Sequence, residues 1–108
     1  MRSKLVRDKI PEIVGMYDGH VSGKPVAFSQ VETPGERQAA LECKLQEEYA
    51  EFVLNPSAEE LADILEVVEA LKEFFPETDH IRQTKALQKG RFEEGWIMEL
   101  GDGPSIPG

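Results

Sequence analysis

The sequence has few of the residues that build covalent or zinc-held frameworks. It contains one cysteine, Cys43, and two isolated histidines, His20 and His80, among 108 residues. A single cysteine cannot form an intrachain disulfide, and histidines without spaced partners do not make the clustered ligand sets of zinc sites. These absences exclude a disulfide scaffold and a zinc centre of the usual kind, and they predict that both histidines lie at the surface.

Long hydrophobic runs are also missing. No apolar stretch reaches the length needed to cross a bilayer. Residues 1–14 contain no apolar segment of the length typical of a signal peptide. We therefore expect a cytoplasmic protein without a membrane partner.

Basic residues are outnumbered, with 12 lysines and arginines against 21 acidic residues and a net charge of −9. Such a charge disfavours binding to nucleic acid polymers and anionic membranes. It does not exclude a phosphate-bearing small molecule, because acidic residues can hold a cation that in turn holds phosphates. The length fits a single domain over residues 1–108. The core of so short a chain is thin, and association with further copies would bury more apolar surface.

Capping residues predict the helices. Thr33 followed by Pro34 begins a first long helix, Pro34–Leu54, which Asn55 and the proline after it end. Ser57 begins a second long helix that runs to about residue 75.

Weaker signals complete the predicted fold. A third, shorter helix runs from Thr78 to about Lys89, residues 26–31 and 92–100 are expected to be short strands, and residues 101–108 a flexible tail. The predicted fold is mainly α: a helical bundle built on a long antiparallel helical hairpin plus a shorter helix, with two or three short peripheral β-strands.

Several carboxylates fall on the apolar sides of the two long helices. On a helical wheel of about 100° per residue, Glu48 lies inside the apolar stripe of the first helix, and Glu51 lies at its edge, one turn after Glu47. On the second helix, Glu60 and Asp63 lie along the apolar arc. A separate set of acids shares one solvated face of that helix: Glu59, Glu66, Glu69 and Glu73.

Inward-facing acids are costly without a partner and repel one another. Lys44 is the only nearby base on either long helix, so a divalent cation would resolve the conflict, and magnesium prefers oxygen ligands. Two simpler interpretations stay open. Glu60 could complete the capping box with Ser57, and Glu48 could reach out of the edge of the core.

The acidic pattern resembles that of a known family. Glu47-Glu48-x-x-Glu51 followed by Glu60-x-x-Asp63 is similar to the signature of the MazG-like, all-α nucleoside triphosphate pyrophosphohydrolase superfamily, which includes phosphoribosyl-ATP pyrophosphohydrolases. Residues 4–11 (KLVRDKIP), 59–66 (EELADILE) and 91–96 (RFEEGW) resemble one small subgroup, so the resemblance covers nearly the whole chain. The short gap between Glu51 and Glu60 departs from many members. Gly90-Arg91 stands where a glycine pair is usual.

The resemblance implies an enzyme that hydrolyses a nucleoside triphosphate to the monophosphate and pyrophosphate. It implies a magnesium cofactor, which manganese can replace, and assembly as a homodimer or homotetramer. The implied metal ligands are Glu48, Glu51, Glu60 and Asp63. Glu47 or Glu51 is expected to accept a proton from the attacking water. Basic residues near the two ends are expected to bind substrate phosphates: Arg7, Lys9, Lys85, Lys89 and Arg91.

Two other functions stay open. A phosphoribosyl-ATP pyrophosphohydrolase of histidine synthesis would use the same metal cluster on a different nucleotide. A helical interaction module without enzyme activity would instead present its acidic face to a basic partner, and magnesium would not stabilise it.

Overall fold

The chain folds mainly into α-helices, as predicted. The computed structural model describes residues 3–16 and 18–101. In this part of the chain the elements follow in order: α1 (Ile10–Gly15), β1 (His20–Val21), β2 (Lys24–Pro25), α2 (Pro34–Leu54), α3 (Ala58–Leu71), a 3-10 turn (Lys72–Phe74) and α4 (Thr78–Lys89).

The chain divides into two compact units, residues 1–76 and 77–108. The first contains α1, the two strands, α2, α3 and the 3-10 turn, and the second contains α4 and the segment after it. A single domain over residues 1–108 stays a prediction. The predicted flexible tail, apart from Gly101, lies outside the described residues.

Side-chain caps determine where the long helices begin. The Thr33 hydroxyl oxygen accepts a hydrogen bond from the backbone N–H of Glu36 at 3.1 Å, and Ser57 accepts one from the N–H of Glu60 at 3.2 Å. Each bond satisfies a backbone donor that the first turn of a helix leaves unpaired. The predicted bounds of α2 are confirmed. α3 ends at Leu71, earlier than predicted, and tightens into the 3-10 turn before Pro76.

α2 and α3 pack against each other as the antiparallel hairpin that their three-residue connection requires. At the end away from the connection, Arg37 of α2 pairs with Glu73, and its guanidinium lies 5.2 Å from the centre of the Phe74 ring. Leu41 and Val67 are buried on the facing sides of the two helices. The hairpin therefore places the last turns of α2 beside the first turns of α3.

The strands lie elsewhere than predicted. β1 and β2 are two residues long each and form an antiparallel hairpin in which His20 is opposite Pro25. Ser22 and Gly23 at its turn both have positive φ (52° and 75°), which a tight hairpin turn requires. Residues 26–31 and 92–100, predicted as strands, are not strands. Both segments are exposed and neither pairs with a neighbouring strand in the described structure, so their apolar residues alone do not make a sheet.

In the second unit, α4 has the predicted bounds. It ends at Gly90, whose φ of 79° is the left-handed conformation that glycine adopts without a steric cost. His80 on α4, like His20 in the first unit, is exposed as predicted.

Candidate metal centre

Glu48 is buried on the inner face of α2. Its exposed fraction is 5%, lower than that of Leu41 in the same stripe, at 7%. Its carboxylate pairs through Oε1 with Lys44, whose side chain is itself only 15% exposed. The structure thus rules out the interpretation in which this carboxylate reaches out of the core edge.

The hairpin brings acids from both helices around Glu48. One group consists of Glu47, Glu48 and Glu51 on α2, and the other joins Glu48 to Glu60 and Asp63 on α3. In each group one carboxylate oxygen per residue lies within 4.8 Å of those of the other members. Glu48 belongs to both groups and so joins them into one cluster, which we call the acidic cluster: Glu47, Glu48, Glu51, Glu60 and Asp63.

Three basic side chains contact this cluster. Lys44, one turn before Glu48, lies 3.0 Å from its Oε1 and 3.4 Å from Oε2 of Glu47. The two others come from the chain before α1. Lys4 Nζ lies 3.7 Å from Oε1 of Glu47, and Arg7 donates a hydrogen bond of 2.8 Å to Oδ1 of Asp63.

The cations do not neutralise the cluster. With every group ionised, five carboxylates and three cations leave a net charge of −2. None of the ion pairs seen in the described residues involves Glu51 or Glu60. One divalent cation would balance the remaining charge.

Two buried oxygens in the cluster accept no hydrogen bond: Oε2 of Glu48 and Oε2 of Glu60. A buried carboxylate oxygen without a partner carries the full cost of its lost hydration. Ser57 caps α3 through its hydroxyl, and no hydrogen bond seen in the described residues joins the Glu60 carboxylate to Ser57. One oxygen of Glu60 is instead buried and without a partner. Hard, anionic oxygen donors with free lone pairs are the ligands that magnesium takes. The donor set thus fits this ion.

Like charges raise the pKa of Glu51. The main cause is the neighbouring Glu48 carboxylate, followed by desolvation, a hydrogen bond that Glu51 can donate to Glu48 only when protonated, and the charges of Glu60 and Glu47. Lys44, in contrast, is a cation surrounded by groups of opposite charge. Burial acts to lower the pKa of Lys44, but its bond to Glu48 and the charges of Glu47 and Glu48 outweigh burial and raise it. The cluster therefore holds an excess of negative charge that favours binding of a cation or a proton.

The predicted phosphate-binding residues lie in both units. Arg7 contacts the acidic cluster through Asp63, and Lys9 is exposed at the N-cap of α1. Lys85 and Lys89 are exposed on α4, and Arg91 is exposed just after it. These three belong to the second compact unit, and their part in a site stays a prediction.

Lys4 is the member of the site that the sequence pattern did not identify. A helical wheel compares residues within one helix, and Lys4 reaches the cluster from an irregular segment more than 40 positions away from Glu47 along the chain. The only signal available was its place in the KLVRDKIP segment, three residues before Arg7. That spacing corresponds to about 10 Å of extended chain, enough for one segment to contact both helices.

No protein-family model, curated protein or solved structure matches this chain. The resemblance to the MazG-like superfamily therefore rests on the motifs alone. Every helix in the described residues is too short or too polar to cross a membrane.

Proposed function

We propose that this protein is a magnesium-dependent pyrophosphohydrolase that converts a nucleoside triphosphate to the monophosphate and pyrophosphate. The observation that carries the proposal is the buried, unpartnered Oε2 of Glu48 at the centre of five carboxylates from two packed helices. A fold does not retain such an arrangement for stability, because an apolar residue at position 48 would pack without electrostatic cost. The choice of a nucleoside triphosphate as substrate rests on the resemblance of the acidic motifs and residues 4–11 to the MazG-like superfamily.

In this proposal Glu48, Glu60 and Asp63 hold the metal, and Glu51 completes the ligand set. A magnesium ion held by these residues would neutralise phosphate charge and lower the pKa of a bound water. The water oxygen attacks the α-phosphorus, the bond from that phosphorus to the bridging oxygen breaks, and pyrophosphate leaves with the electron pair. The water proton passes to a carboxylate of the cluster.

Glu51 is a better proton acceptor than Glu47. No ion pair seen in the described residues engages Glu51, so its oxygens stay available to accept the water proton. Glu47 contacts both Lys4 and Lys44, so its two carboxylate oxygens are already engaged by cations.

The protein is proposed to act as a homodimer or homotetramer. In the described part of the chain, the buried apolar side chains are Val14, Leu41 and Val67. Leu61 and Leu65, on one side of α3, are 47% and 58% exposed. This thin core suggests that further apolar surface is covered by another copy. Size-exclusion chromatography with light scattering tests this, and a monomeric mass at micromolar concentration would contradict it.

The test of function is pyrophosphate release from a panel of ordinary and modified nucleoside triphosphates, with and without magnesium. Phosphoribosyl-ATP belongs in the panel, because turnover of this compound alone would select the histidine-pathway enzyme. Glu48→Gln and Asp63→Asn should each lose most of the activity. Glu66→Gln, an equal loss of charge on the exposed face of α3, is the matched control and should retain it.

An interaction module predicts a different result. It would show no turnover on any nucleotide, and magnesium would not change its melting temperature. The proposed enzyme should melt at a higher temperature with magnesium, because a ligand that binds only the folded state stabilises that state. Asp63→Asn should reduce this rise. Full turnover in both site variants would show that the chemistry lies elsewhere.

A further inference from the structure

The segment before α1 contacts both long helices through its basic side chains. We call residues 3–9 the N-terminal arm. Lys4 reaches Glu47 on α2, and Arg7 reaches Asp63 on α3. Leu5 and Val6 between them are half-buried, whereas Arg7 is exposed. The apolar pair is thus partly shielded from solvent, while the two basic side chains are 61% and 58% exposed where they contact the acidic cluster.

We propose that Arg7 is an internal counter-ion of the metal site, which pairs with Asp63 in the absence of metal and moves to the phosphates of the substrate when metal and nucleotide bind. This inference rests on the proposed function of the site. It assigns Arg7 two successive partners and makes it a substrate-binding residue that couples metal binding to nucleotide binding.

The contacts at Asp63 support the first partner. Arg7 engages Oδ1 of the same carboxylate that belongs to the proposed ligand set. A guanidinium so close to the ligand opposes the approach of a second cation through charge repulsion. Arg7 therefore lowers the metal affinity at Asp63, and weakening the Arg7–Asp63 ion pair should raise that affinity.

The exposure and chemistry of Arg7 support the second partner. Its side chain is 58% exposed and belongs to an irregular segment, so the guanidinium can change partners without disturbing a packed helix. A guanidinium has the donor geometry that binds phosphate oxygens in pairs. Lys44 is less suited to this movement, because its side chain is only 15% exposed and holds two carboxylates at once.

Manganese binding in the absence of nucleotide tests the first partner. Mn²⁺ is titrated into the protein and the free ion is measured by electron paramagnetic resonance. Arg7→Gln should bind Mn²⁺ about threefold to tenfold more tightly than the wild type, as expected when one cation is removed beside a partly exposed divalent site. The difference should shrink between about 0.05 M and about 0.5 M salt, because exposed charges are screened.

Two control variants separate this effect from others. Lys24→Gln removes one positive charge from the exposed hairpin and should leave Mn²⁺ affinity unchanged, which controls for net charge. Arg7→Lys keeps the charge and should restore affinity close to that of the wild type. A merely structural role for Arg7 predicts weaker Mn²⁺ binding in Arg7→Gln, so equal or weaker binding would overturn the inference.

Inorganic triphosphate tests the second partner without relying on turnover. With the protein saturated with magnesium, Arg7→Gln should bind this anion about tenfold more weakly by calorimetry, the loss expected for one charge-assisted hydrogen bond. Unchanged affinity would overturn the movement of Arg7 to phosphate. If these results hold while no nucleotide is hydrolysed, the pyrophosphohydrolase proposal fails and the counter-ion role stands. If the wild type binds no Mn²⁺, both fail.

Discussion

Replacing Glu48 by glutamine tests the metal site with the smallest change in shape. The variant keeps the side-chain volume and exchanges one charged oxygen for an amide at a position that is 5% exposed. Lys44 still has Glu47 within 3.4 Å, so this cation keeps a partner. The local charge of the acidic cluster and its three cations changes from −2 to −1. We therefore expect the metal-free variant to remain folded while its magnesium affinity falls.

The magnitude follows from the shared position of Glu48. It belongs to both groups of carboxylates, so its loss removes a ligand from each. Changes in residues that only support a ligand commonly cost about 10- to 100-fold in metal affinity, and a direct ligand should cost at least as much. At a magnesium concentration about 100 times the wild-type dissociation constant, the wild type gains about 2.7 kcal/mol of unfolding free energy. A variant with about 100-fold weaker binding gains only about 0.4 kcal/mol.

Thermal unfolding resolves this difference. For a domain of this size, about 1 kcal/mol shifts the melting temperature by about 4–8 °C. Magnesium should thus raise the melting temperature of the wild type by about 11–22 °C, and that of Glu48→Gln by about 2–3 °C. Calorimetric scans with chelator and with magnesium measure both rises, and Glu66→Gln serves as the control for net charge. An equal magnesium-induced rise in Glu48→Gln and wild type would refute the assignment of Glu48 as a ligand.

Four further predictions concern single side chains. Glu51→Gln should raise the melting temperature of the metal-free protein and reduce its response to magnesium, because the repulsion that raises the Glu51 pKa is removed together with a ligand; a lower metal-free melting temperature would contradict this. The pH dependence has a definite sign. The Glu51 pKa is raised in the folded state, so the contribution of Glu51 to stability is fully present below its ordinary value of 4.5. That contribution is lost as the pH rises through the folded-state pKa. Denaturant titrations of metal-free Glu51→Gln across this pH range should lack the decline. Leu41→Ala should cost about 2–5 kcal/mol in urea unfolding, because it leaves a cavity in a thin core, and a cost under about 1 kcal/mol would show that the site relaxes around it. Ser57→Ala should cost about 1 kcal/mol through loss of the α3 cap, while Ser57→Asp, which can also cap, should retain most of the stability.

The long helices and the burial of Glu48 were predictable because local interactions determine both. Thr33 and Ser57 satisfy backbone donors within three residues of themselves, so the start of each helix depends only on its immediate sequence. The period of the helix then places Glu48 in line with Leu41 without reference to any other part of the chain. The burial of Glu48 confirms that prediction.

The short strands show the opposite case. Residues 26–31 and 92–100 have apolar residues typical of strands, but a strand forms only when another segment offers its backbone for pairing. The pairing that does occur lies at β1 and β2, where Ser22 and Gly23 adopt the positive φ angles of a tight turn. The amino-acid composition of a short segment does not show whether another segment is placed to pair with it.

By itself, the sequence determined that Glu48 lies in the apolar stripe of α2, because a helix places residues one turn apart on the same side. Only the tertiary structure decided what the Glu48 carboxylate meets. Packing of the two helices joined both acid groups through Glu48 and left its Oε2 unpartnered. The N-terminal arm brought Lys4 and Arg7 to the cluster from a distant part of the chain, and contacts between residues so far apart depend on how the whole unit folds, which no local pattern encodes.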